Sequence, residues 1–280
     1  MACEQCGGTE WRSIDRDGVR RVERCACWQD RIGGQLVETA RIPPRYVRCT
    51  LENFLLYPND KLTAAVSQAR RFADAFPAGQ KGLCLIGPPG IGKTHIAVSI
   101  LRRLVVEKHV RGLFYDVRDL LRVIRSTYNP VVRTAEMDIL RPVMTAELLV
   151  LDDLGAEKPS EWVEETMNLI VNTRYNERRP TIFTTNYEDH PDDVDSLKAR
   201  VGFRLHSRLH EMCEFLEYDG GDYRMLPANG GPDDMATLWK RSRARRPALP
   251  VRTQGPARAQ IREPREPREL KWPGGKAGRD

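Results

Sequence analysis

The residues best suited to chemistry stand at 87–94, Gly-Pro-Pro-Gly-Ile-Gly-Lys-Thr. They fit the G-x-x-x-x-G-K-[ST] pattern of a phosphate-binding loop. Gly87 and Gly92 let the backbone turn without a Cβ, so successive N–H groups can face phosphate oxygens. A helix starting at the end of the loop adds its positive dipole end. In this chemistry Lys93 contacts the β- and γ-phosphates and the Thr94 hydroxyl binds Mg²⁺. Pro88, Pro89, Gly90, Ile91 and His95 complete the expected nucleotide-binding segment.

A second motif is Glu147-Leu-Leu-Val-Leu-Asp152-Asp153. Phosphoryl transfer needs one carboxylate for Mg²⁺ and one to take a proton from the attacking water; Asp152 suits the first role and Asp153 the second. Asn186 closes the apolar run Pro180-Thr-Ile-Phe-Thr-Thr. It suits orientation of that water, and a turn-forming asparagine is the alternative. Arg204 and Arg208 lie four apart on one expected helix face, and Arg224 follows in Asp-Tyr-Arg. Surface arginines are common, but a phosphoryl-transfer site also requires arginine to neutralise developing charge.

Four cysteines form two close pairs, Cys3-x-x-Cys6 and Cys25-x-Cys27. Four thiolates complete a tetrahedral, closed zinc site, so a structural zinc is expected rather than a catalytic one. A redox role for C-x-x-C would explain only one pair.

The elements that must position these groups follow from hydrophobic period. Residues 82–86 read as a buried strand leading into the loop, and 95–106 as an amphipathic helix leaving it. Helices are expected over Asn59–Phe76, Asp119–Tyr128, Thr134–Met144 and Ser160–Arg174, with Ser160 as a cap. Strands are expected at Gly112–Val117, 148–152 and 180–186. Two short strands at Trp11–Asp15 and Gly18–Glu23 meet at Asp17-Gly18, a tight-turn signal. Glu38–Leu56 reads as an extended connector because two prolines interrupt it. The expected organisation is a zinc-binding module at 1–42, an ATPase domain at 43–227 and a basic tail at 228–280.

The chain has 280 residues with 40% hydrophobic and 30% charged content and a net charge of +6. From Ala228 onward, 13 Lys/Arg face 6 Asp/Glu, so the basic character belongs to the tail. That tail is Pro- and Gly-rich and is expected to be disordered apart from a short helix at Asp234–Arg245. It reads either as an inert solubilising segment or as a weak nucleic-acid arm. No apolar run spans a bilayer and the N-terminus lacks a signal-peptide pattern, so a cytoplasmic protein without disulfides is expected.

In order, these motifs resemble a known family. Gly87–Thr94 resembles a Walker A motif, 148–155 a Walker B, and Thr184-Thr-Asn186 the sensor-1 strand end. Val201-Gly-Phe-Arg204-Leu-His-Ser-Arg208-Leu209 resembles the G-E-R-x-x-S-R-L segment of AAA+ helicase loaders, and Asp222-Tyr-Arg224 their closing D-Y-R. The chain therefore resembles a DnaC/DnaI-type replicative helicase loader over Pro43–Pro227, and its cysteine-bearing N-terminus resembles that of the DnaI branch. The resemblance implies an α/β core, a five-stranded parallel sheet flanked by helices, with a reduced or absent helical lid. It implies ATP-dependent oligomers in which Arg208, or failing that Arg204, completes the site of the next subunit. Arg224 would act in cis as sensor 2. It also implies a hexameric replicative helicase and single-stranded DNA as partners. A transposase-helper branch, the IstB type, shares nearly the same motifs and implies target-DNA selection instead. Phe203 stands where the family has an acidic residue, and Asp153 where many AAA+ proteins have Glu.

Overall fold

The computed structural model describes residues 3–78, 81–128, 135–190 and 195–245. Expectations for 246–280, and for Thr134 at the start of an expected helix, lie outside these residues. Two layers of helix enclose one sheet. In chain order its strands are β3 (Gly82–Ile86), β4 (Gly112–Asp116), β5 (Leu148–Asp152), β6 (Thr181–Thr185) and β7 (Cys213–Glu217). Their spatial order is β4-β5-β6-β3-β7, and every pair is parallel. The all-parallel order explains the near-continuous apolar runs of the central strands, which are covered on both faces.

Strand alternation splits the core in two. On one face Leu83, Leu85, Val150 and Ile182 pack against helices α2 (Asp60–Ala75) and α3 (Lys93–Lys108). On the other, Cys84, Ile86, Leu149, Leu151 and Phe183 meet α4 (Val117–Ser126), α5 (Glu136–Thr145), α6 (Glu161–Asn176) and the short pair α7 (Leu197–Val201) and α8 (Phe203–Met212). Caps set several starts: Asn59, Asp116, Ser160 and Ser196 each accept a backbone N–H of the first turn. Arg174, fully buried, donates to the carbonyls of Val143, Ala146 and Pro180 at 3.0, 2.9 and 2.7 Å and so closes the carboxyl end of α5.

The N-terminal strands form as expected. β1 (Trp11–Arg16) and β2 (Val19–Arg24) pair antiparallel, and Asp17 and Gly18 both take positive φ in the turn. Two elements near this end of the chain depart from the sequence reading. Helix α1 (Ala26–Thr39) follows Cys25, its glycines and weak apolar stripe having hidden it. It lies on α3, where a Cβ on Gly33 would sit 3.6 Å from the Val106 carbonyl oxygen. The expected extended connector instead contains a 3₁₀ turn at Pro44–Tyr46. Proline is compatible with the first position of a turn, and Pro43, which precedes another proline, keeps an extended backbone. At the other end the expected short helix forms as α9 (Pro232–Arg245), with Met235 fully buried and the Trp239 ring 5.8 Å from that of Tyr57.

Candidate nucleotide site

The phosphate loop leaves β3 at the carboxyl edge of the sheet, beside the ends of β5 and β6. This is the edge where open α/β sheets bind ligands. Gly92, at φ +92°, is the residue before α3, and a Cβ there would strike the Phe54 ring at 2.5 Å. Gly90, at φ +82°, is covered by Asp222, whose Oδ1 would lie 1.9 Å from an added Cβ. Tyr223 N–H donates to the Gly90 carbonyl at 3.0 Å, so the Asp222-Tyr-Arg224 turn sits on the loop's tip. Both glycines are required by left-handed backbone and close cover together.

Lys93 is buried and its Nζ donates to the carbonyls of Gly87 and Pro88 at 2.7 and 2.9 Å and to Asn186 Oδ1 at 2.7 Å. Burial pulls its pKa down to about 8, against the opposing pull of Asp152 and Asp153. Asn186 Nδ2 donates in turn to Asp153 Oδ1 at 2.7 Å. One amide therefore connects the loop lysine with the second carboxylate. Asp153 takes φ +62°, a left-handed backbone that aspartate tolerates, and its Oδ2 also meets Arg118 at 2.9 Å. Asp152 accepts from Thr94 Oγ1 at 2.9 Å and from Thr184 Oγ1 at 2.6 Å. Burial raises the Asp152 pKa, and these two hydroxyls oppose the rise. A hydroxyl and a carboxylate side by side are the oxygen donor set that a hard cation such as Mg²⁺ takes, so these residues fit that ion.

The loop, both aspartates, Asn186 and Arg224 line one cavity of about 490 Å³. That volume falls in the usual range for small-molecule and cofactor sites. Its remaining wall was not apparent from sequence: Arg45, Tyr46, Asn53, Phe54 and Leu55 come from the connector, and Asp116 from the end of β4. His95 lines the cavity too, but its Nε2 reaches the Thr50 carbonyl at 3.0 Å and its ring stands edge-on to Phe54 at 5.1 Å. The side chain thus fastens the connector to the loop. Thr184 was legible in principle, since it lies two residues before Asn186 on the same strand face. Arg118 carried no such signal. Among the described residues, Arg204 and Arg208 do not line this cavity. Arg204 is exposed, and Arg208 Nη1 makes a long 3.4 Å contact with Asn168 on α6.

The four cysteines also converge. Their sulfurs all lie within 4.8 Å of one another, with Cys3–Cys25 at 3.8 Å and Cys6–Cys27 at 3.4 Å. A tetrahedral zinc with bonds of about 2.3 Å separates its sulfurs by about 3.8 Å, so the set fits that metal. The hairpin places the two pairs together: Cys25 N–H donates to the Glu10 carbonyl at 2.9 Å as β2 ends. The Arg24 guanidinium lies between the Trp11 and Trp28 rings, at 4.1 and 4.6 Å.

Fold and cavity define a P-loop nucleotide-binding protein. The model of the IstB-like ATP binding protein family matches residues 47–227, and the chain belongs to that family. Within it the chain resembles helicase loaders. It is 27% identical over 169 residues to the replicative helicase loader DnaC of Escherichia coli strain K12, a match spanning 60% of this chain and 65% of the relative. It is 24% identical over 235 residues to YqaM of Bacillus subtilis strain 168, spanning 80% of this chain and 70% of that one. Among solved structures, the DnaC helicase loader is 34% identical with a TM-score of 0.56, covering 62% of this chain and 99% of that one. DnaI is 26% identical with a TM-score of 0.54, covering 66% and 98%.

Proposed function

We propose that this protein is an ATPase that binds a replicative helicase and helps to place it on single-stranded DNA, with ATP binding and hydrolysis as the switch. The observation that carries the ATPase reading is the continuous set Lys93–Asn186–Asp153 facing Thr94–Asp152–Thr184 across one cavity. Lys93 binds phosphate oxygens, and Asp153 takes the proton of the attacking water at a carboxylate held by Asn186 and Arg118. Asn186 contacts both groups, so it orients the water relative to the terminal phosphate. Mg²⁺ held by Thr94 and Asp152 would supply positive charge to the phosphate oxygens. Arg224 reaches the nucleotide in cis from the turn on the loop's tip.

Arg204 and Arg208 lie outside the cavity of their own subunit and serve that of a neighbour, in an oligomer that forms with ATP. Mutating Arg208 to Ala should then leave nucleotide affinity unchanged and lower turnover by on the order of a thousandfold at protein concentrations that favour assembly. The Cys3/Cys6/Cys25/Cys27 zinc holds the 1–42 module, which docks on the helicase, and the basic segment after 227 adds electrostatic attraction to nucleic acid. The loader relatives support the helicase as partner.

The test is size-exclusion chromatography with light scattering of the full chain and its host's replicative helicase, with and without ATP. A co-migrating, ATP-sensitive complex is expected. The family name also covers the transposition-helper reading. Absence of the complex, with ATP-dependent self-assembly on duplex DNA, would establish that reading instead.

A further inference from the structure

Away from the cavity, α8 carries two histidines whose spacing the nucleotide site does not use. His206 and His210 are four residues apart and share a helix face. Their Nε2 atoms lie 3.3 Å apart. Asp189, in the segment after β6, faces both: Oδ1 is 2.6 Å from His206 Nε2 and Oδ2 is 2.9 Å from His210 Nε2.

We propose that Asp189, His206 and His210 form a second metal site that takes Zn²⁺ through two imidazole nitrogens and one carboxylate, with its fourth position open to water. The nitrogen spacing is the first argument. A tetrahedral zinc with Zn–N bonds of about 2.0 Å separates its nitrogens by about 3.3 Å. The two Nε2 atoms face the two oxygens of one carboxylate, so an ion among them meets two nitrogens and an oxygen without turning either ring, and the carboxylate oxygen needs to move by only about half an ångström to reach ligand spacing.

Pre-organisation is the second argument. The His210 ring stacks on Phe215 at 4.2 Å with an 11° interplanar angle, and the His206 ring meets His210 edge-on at 4.6 Å. Both rings are thus held in the orientation a ligand needs. Exposure is the third. The His206 and Asp189 side chains are only 15% and 20% exposed, whereas His210 is 50% exposed and leaves an approach for the ion. Imidazole with carboxylate is a donor set that zinc favours.

The placement gives the site a consequence. Arg204 and Arg208 belong to the same helix as the two histidines, and Asp189 follows three residues after Asn186. Zinc here would pin the arginine-bearing helix to the strand end that presents Asn186. The site does not depend on the identity of any partner, because it is read by metal content.

The experiment is equilibrium dialysis of the metal-stripped, reduced full chain against Zn²⁺, with zinc counted per chain, for wild type, Asp189→Asn and the double variant His206→Ala/His210→Ala. Two equivalents are expected for wild type, one at the cysteines and one here, and one for each variant. Repeating the titration with Co²⁺ distinguishes the sites. Only the cysteine site gives a near-ultraviolet thiolate-to-cobalt band. The second equivalent should add visible absorption without that band and should vanish in both variants. A wild type whose entire bound cobalt shows the thiolate band overturns the proposal. So does a double variant that keeps two equivalents. A wild type with one equivalent and no thiolate band supports this site and removes the cysteine one.

Discussion

The cysteine hairpin and the central sheet are built on opposite principles. β1 and β2 expose nearly every residue, and Val22 is 64% exposed. β3 and β6 are buried at every position. A two-stranded hairpin with no apolar face is not stable alone in water. What defines its shape is the four-sulfur cluster, whereas the sheet is defined by apolar area removed from water on both faces. Chemistry that needs exact polar placement therefore sits on the sheet, and the hairpin is free to present a charged surface.

The largest effect should come from removing the zinc proposed at the four cysteines. Chelation under reducing conditions should abolish amide protection across 11–24, because structural zinc sites in small modules are worth about 10 kcal/mol or more. Protection of β3 and β6 should persist; their joint collapse would show that the two regions share one folding unit. Next in size, Phe183→Ala should cost about 3–5 kcal/mol of unfolding free energy in denaturant melts, since it empties a fully buried site between sheet and helices. A loss under 1 kcal/mol would contradict the account of the core.

The third effect concerns the charge buried on the sheet's edge. Lys93 is lowered to about 8 by burial, and bound phosphates favour its charged form. Nucleotide binding should then take up a proton above pH 8. Affinity should be flat below about pH 7 and fall toward about tenfold per pH unit above 8, read by titration with a non-hydrolysable ATP analogue. A flat profile up to pH 9.5 would mean the lysine is not the group that meets phosphate. The smallest effect sharpens the contrast from the hairpin side: Val22→Ala should change stability by no more than about 0.5 kcal/mol, measured as above.

Legibility in the sequence followed the same division. Asp152, Asp153 and Asn186 stand at or just past the ends of strongly apolar strands, and Lys93 and Thr94 close a loop motif of fixed spacing, so both their types and their edge of the sheet were readable, and the structure brings all five together. β7 was not read: its Cys-Glu-Phe-Leu-Glu pattern is that of an exposed edge strand, and it begins directly where α8 ends. The connector's part in the cavity wall was unreadable for a different reason. Arg45, Tyr46 and Phe54 become lining residues because that segment crosses the loop, where His95 and Tyr223 reach the carbonyls of Thr50 and Leu55, a long-range arrangement with no local period. Arg118 meets Asp153 only through strand order, which places β4 beside β5.

The strand that launches the phosphate loop is the first of the five to be synthesised, yet its two neighbours, β6 and β7, are the last. The loop's tip is covered later still, by Asp222 and Tyr223. During translation the sheet can therefore close only when almost the whole domain has left the ribosome, and such non-local pairing is slow. Nucleotide should be unable to rescue a nascent chain stalled before Glu214, and should protect one released through Arg224 from proteolysis. A copy truncated before β7 carries the phosphate loop but lacks the neighbouring strand and the turn that cover it.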